Sequence, residues 1–241
     1  MAIKERGRHK LARVRAAAEG AVAKNGPSLL ERISGGDVPV TQQAALSFGE
    51  DRLEAAGWSE MVERAQRGFW EFDGGALWID PTPAMVVIDV DGEGEGIDLA
   101  DAGCRAAVAA IEAMDIGGPI GIDFPGLRSR AERMAMDALV DELLPQPFER
   151  TATNGYAFMQ IIRRRDRPSF LEQIRYDPAW TDAALLLRRA ERTSGVGEMQ
   201  LTARPSVISL LQAHPEWTQR LQQSMGRNVK LVDDASMKGI G

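Results

Sequence analysis

Two apolar runs in this 241-residue chain each place an aspartate directly after an isoleucine: Met85-Val-Val-Ile-Asp89-Val-Asp91-Gly and Gly118-Pro-Ile-Gly-Ile-Asp123-Phe. Burying an unpaired carboxylate costs several kcal/mol, so such a residue needs a cation, a hydrogen-bond donor or water. Two of them on neighbouring strands would repel each other, and a hard divalent ion relieves that repulsion. Mg²⁺ is held by one or two carboxylates, keeps several waters and takes up substrate phosphate oxygens. It can activate water and stabilise a phosphoryl transition state. Asp89 and Asp123 are therefore the candidate metal ligands. Asp91 is a further catalytic candidate, because residues i and i+2 of a strand share a face. Glu93 and Glu95, in the Gly-rich loop that follows, are candidates to surround the ion. The plainer reading makes each aspartate a helix N-cap or a turn former, and spacing by itself leaves both readings open.

The elements that must position these residues follow from periodicity and punctuation. A helix is expected over about 50–67, then strands at 69–72, 76–79 and 85–90, the first two split by the hairpin signal Asp73-Gly-Gly. Residues 98–114 have apolar positions at helical spacing and an acidic start suited to the helix dipole. Gly117-Gly118 stops that helix before a strand at 120–124, and another helix covers about 129–144. After the Pro145–Pro147 break come a strand at 158–165, a helix at 181–193, a strand at 199–203, two short helices within 205–226 and a last strand at 228–232. Strands alternating with helices predict an α/β class: a mixed sheet flanked by helices, mainly parallel with a hairpin at one edge. Ligands of such sheets sit beyond the carboxyl ends of the strands, where both aspartates fall.

Composition narrows the class. The chain is 44% hydrophobic and 27% charged, the profile of a globular protein. It has no apolar run long enough for a membrane span and no apolar stretch behind its basic start to form a secretory signal, so a cytoplasmic protein is expected. A lone cysteine, Cys104, makes no intrachain disulfide and no Cys-based zinc site, and is read as packed. Net charge is −6, yet basic residues cluster at 1–15, at Arg163-Arg164-Arg165-Asp-Arg167 and at Arg188, Arg189 and Arg192. Basic patches around an acidic centre suit a polyanion held together with a divalent cation, or simply make solvated faces. The five tryptophans, Trp78 among them, are read as core or interface residues, and Tyr156 or Phe158 as possible base-stacking rings. His9 is expected to be exposed and His214 to end a helix.

Gly74-Gly75-Ala-Leu-Trp-Ile79 through Thr82-Pro-Ala84 to Ile88-Asp89-Val90 resembles the catalytic region of the ribonuclease E/G family. So do Asp115-Ile-Gly117-Gly118 running into Ile122-Asp123-Phe124, and Asn154-Gly-Tyr through Arg163-Arg-Arg165 with Pro168-Ser169 after it. The likeness is good over about 65–170 and loose elsewhere. It implies a deoxyribonuclease-like subdomain and an endoribonuclease that cuts single-stranded RNA to 5′-phosphate and 3′-hydroxyl products. It further implies Mg²⁺ on Asp89 and Asp123, with Arg163, Arg165 and Tyr156 contacting RNA. Residues 1–40 would be a basic segment left from an RNA-binding domain, 41–170 the nuclease-like core and 171–241 a C-terminal α/β segment packed on it. Lys4-Glu-Arg-Gly-Arg-His-Lys-Leu-Ala-Arg-Val-Arg15 looks like the end of the family's oligonucleotide-binding barrel, so a natural short form or a truncation is expected. Asp91 stands where the family has Asn and Pro83 where it has Glu. The cysteines of the family's zinc-linked dimer are absent, so no such dimer is expected. Asp91, Pro83 and the Glu/Gly-rich loop after Asp91 define the alternative, an RNA-binding or regulatory relative without turnover. A phosphohydrolase acting on a small phosphate ester is the third reading.

Overall fold

Alternation of apolar and polar residues builds the central sheet of the computed structural model, which describes residues 51–94 and 96–237. The basic segment 1–40, His9 and Glu95 lie outside the described residues. The sheet contains β1 (Phe69–Phe72), β2 (Gly75–Pro81), β3 (Val86–Gly92), β4 (Gly118–Asp123), β5 (Phe148–Arg150) and β6 (Phe158–Arg163). Their spatial order is β1-β2-β3-β4-β6-β5. Asp73-Gly74 closes the β1–β2 hairpin, as its sequence signal indicated. Only β3 and β4 run parallel within this sheet. The sheet is mixed and flanked by helices, as expected, but it is mainly antiparallel rather than mainly parallel. The three-residue β5, too short to carry a visible pattern, pairs with β6 and turns it antiparallel to β4.

Leu77, Ile79, Val86, Ile88, Val90, Ile120, Ile122, Met159 and Ile161 form the buried face of this sheet. They share one core with Ala65, Ala107, Ile111, Val140 and Leu171 from the helices. Those helices are α1 (Arg52–Ala55), α2 (Trp58–Arg67), α3 (Ile97–Ala113), α4 (Arg130–Leu143) and α5 (Phe170–Tyr176), of which α1 alone contributes no buried residue. The helix expected over 50–67 is two helices, because Gly57 breaks it in a left-handed conformation (φ 83°) that other residues rarely adopt. The short α5 was not expected. Its Ser169–Glu172 capping box was nevertheless legible as Ser-x-x-Glu. In α3, Cys104 is fully buried and burial pushes its thiol up to about 12, so it packs rather than reacts.

The C-terminal part has a second core, from α6 (Pro178–Glu191), β7 (Met199–Ala203), α7 (Pro205–Ala213), α8 (Pro215–Met225) and β8 (Val229–Asp233). Here β7 and β8 pair in parallel as a separate two-stranded sheet. It joins the first core through polar contacts: Thr181 Oγ1 donates to the Ile174 carbonyl and Arg188 pairs with Asp51. The described residues all belong to one compact unit. Among them no helix is long and apolar enough to cross a membrane.

Candidate functional site

Strand register decides where the two aspartates meet. Asp89 of β3 and Asp123 of β4 are direct partners across the parallel pair, so their backbones are about 4.8 Å apart, one strand spacing. Both side chains project from the face opposite Ile88 and Ile122, and both are exposed. The expected buried setting is therefore corrected: period-two alternation carries each carboxylate out of the core its neighbouring isoleucine enters. Asp123 ends β4, whereas β3 continues past Asp89 to Gly92.

The pair is close enough for each carboxylate to feel the other. Partial burial, and then the charge of Asp89, push the Asp123 carboxyl above its ordinary value of 3.8. Uncompensated like charge of this kind is what a divalent cation relieves. Among the described residues no group of three or more His, Cys, Asp or Glu is placed to hold a metal ion. The structure thus gathers two carboxylates, a donor set that suits Mg²⁺ completed by water and phosphate oxygens. Asp91 shares their face one residue pair further along β3, opposite Ala76, and does not join them in a three-carboxylate cluster. One of its oxygens, Oδ1, accepts from the Gly92 backbone N–H at 2.9 Å.

Around the pair, a row crosses five strands: Phe69, Trp78, Asp89, Asp123 and Phe158 are successive register partners. Trp78, read as a core or interface residue, is 52% exposed and so lies outside the core, and its ring meets Phe69 at a tilt of 58° with centroids 4.7 Å apart. Gly121 leaves room for the Phe158 ring, whose Cζ would lie 2.4 Å from a Cβ at that position. Asn154 shapes the loop before β6. Its Oδ1 accepts from the backbone N–H groups of Tyr156 and Phe158, while Phe124 N–H donates to the Ala157 carbonyl. That places Tyr156, 90% exposed, at the Asp123 end of the sheet.

The predicted arginines lie elsewhere. Arg163 ends β6 opposite Gly118, five residues or about 17 Å along the strand from the partner of Asp123. It projects on the helix-covered side, where it donates to the Ile116 carbonyl. Arg165 pairs with the buried Glu172, Arg164 with Asp166 and Arg167 with Asp115. On the open face, register places Glu71, Asp80, Asp89, Asp91, Asp123 and Glu149. Of these, Asp80 is paired with Arg175. His214 stacks on Trp217 and hydrogen-bonds Glu216, at the start of α8.

Sequence reasoning thus identified the carboxylate pair and the exposed tyrosine but missed Trp78 and Phe69. The alternation of Ala76, Trp78 and Asp80 against Leu77 and Ile79 was the available signal. Compared with known proteins, the chain matches no family model and no curated sequence at a significant level.

Proposed function

We propose that this chain is a Mg²⁺-dependent endoribonuclease that cleaves single-stranded RNA, with Asp89 and Asp123 holding the ion. The observation that carries this reading is their direct pairing across parallel strands on an exposed face. Register places only carboxylates among the charged residues of this face, Asp80 being paired with Arg175, and the Asp89–Asp123 pair repels a phosphodiester unless a cation stands between them. When bound, Mg²⁺ would polarise the phosphate and lower the pKa of water. The two aspartates would hold and orient that ion. The phosphodiester breaks at its P–O3′ bond: water adds to phosphorus and gives a proton to solvent, and the departing O3′ takes one from solvent, which leaves 5′-phosphate and 3′-hydroxyl ends. A deoxyribonuclease-like subdomain and the likeness to ribonuclease E/G motifs are consistent with a mixed sheet carrying this pair. The reading without turnover rests on Asp91, Pro83 and the Glu/Gly-rich loop after Asp91, where the chain departs from the ribonuclease E/G pattern.

The test is cleavage of a short single-stranded RNA with Mg²⁺ and with chelator. Asp123→Asn is expected to lower the rate on the order of 10³-fold, the size of a lost charge-stabilising ion. Undiminished cleavage by that variant, or by wild type in chelator, would overturn the assignment.

A further inference from the structure

An indole half in water is ordinary when it stands singly, but Trp78 has company. With Phe69, Gly74, Gly75, Ala76, Asp91, Gly92 and Glu93 it lines a shallow groove of about 510 Å³. That volume lies within the range of small-molecule sites. The floor is aromatic, because the Phe69 and Trp78 rings meet there at a tilt of 58°. Glycines of the β1–β2 turn form one wall and leave it low. The adjoining rim, on the strand paired with these glycines, is acidic. Asp91 uses one oxygen on Gly92 N–H, and among the described residues the other meets no protein donor. Register then sets the groove beside the carboxylate pair, since Trp78 is the direct partner of Asp89.

We infer that this groove is a nucleobase subsite, in which one base of the RNA stacks on Trp78 while its edge donates to Asp91 and Glu93. The inference rests on the nuclease reading and deepens it by assigning Asp91 to the base rather than to the ion. A carboxylate rim repels phosphate but accepts from amines, so the part of a polynucleotide that fits is the base. Carboxylates accept well from exocyclic amines such as cytosine N4. Adenine and guanine also carry such amines, whereas uracil presents one N–H between two carbonyls. The subsite therefore disfavours uracil. Arg67, whose guanidinium lies 5.2 Å from the Phe69 ring centre, is the nearby cation at the outer edge, and it is already paired with Glu63 at 3.2 Å.

The experiment measures labelled oligoadenylate, oligocytidylate and oligouridylate of equal length by fluorescence anisotropy, with Ca²⁺ as the ion. KM and kcat for cleavage in Mg²⁺ are measured on the same chains. Trp78→Ala is expected to raise Kd and KM about tenfold, the effect of one lost stacked base, with kcat changed by less than about twofold. Trp78→Phe should restore most of the affinity, and Asp91→Ala should erase the discrimination against uracil. If wild type cleaves but Trp78→Ala leaves Kd and KM unchanged, the subsite falls and the nuclease reading stands. If binding depends on Trp78 but Mg²⁺ gives no cleavage, the nuclease reading falls and the subsite stands. If no oligonucleotide binds, or only a Lys/Arg-rich peptide does so through Trp78, both are overturned.

Discussion

The two faces of the central sheet are made by the same strands and share almost no chemistry. On one, Ile88, Ile120, Ile122 and Ile161 are completely buried under helices. On the other, Asp89, Asp123 and Trp78 stand exposed among the described residues. Neighbouring residues of one strand therefore face opposite demands, the first governed by packing and the second by charge. A carboxylate pair on the open face leaves the core intact. The like-charge repulsion it stores remains available to a ligand instead of being quenched by protein partners.

Ile122→Asp attacks the covered face at the residue next to the site. It replaces a fully buried side chain with an unpaired charge, and a loss of at least about 5 kcal/mol is expected. Circular dichroism at neutral pH should then show a chain largely unfolded; a cooperative melt near that of wild type would break the contrast between the faces. Gly103→Ala probes the same face more gently. A Cβ there would fall 2.2 Å from Val90 Cγ1, so α3 must lift from the sheet, and denaturant titration should show a loss of about 1–3 kcal/mol. Smallest of all is the effect of Asp123→Asn on stability. The folded state raises the carboxyl above 3.8, so it binds the proton more tightly than the unfolded chain does. Its ionised form therefore weakens the fold above the folded pKa, and that penalty disappears as pH falls through the same value. Asp123→Asn should melt at or slightly above wild type at pH 7 without metal, with the difference vanishing in acid. Mg²⁺ should raise the melting temperature of wild type and not of the variant. A variant that melts well below wild type at neutral pH would show that Asp123 serves the fold.

Much of this organisation was legible beforehand. The strands around Asp89 and Asp123, the hairpin at Asp73-Gly74 and the helix between β3 and β4 follow from periodicity and turn residues. Less visible was the direction of β6, because β5 is three residues long and cannot display an alternation. The exposure of Trp78 was hidden for a related reason. A tryptophan in an apolar run suggests a core, and only its parity against Leu77 and Ile79 reveals the exposed side. Arg163 and Arg165 were grouped with the aspartates by motif order, although the strand carries them to its far end and into contacts of their own.

Local sequence determined which segments become strands and, through the alternation of Ile with Asp, that both aspartates turn away from the core their neighbours enter. Whether they meet was decided by tertiary structure alone. Parallel pairing of β3 with β4, at a register set by packing against α3 and α4, brings together residues separated by an entire helix. The same pairing sets Trp78 beside them. Each strand dictates its own faces by a two-residue period, but nothing within a strand specifies its neighbour.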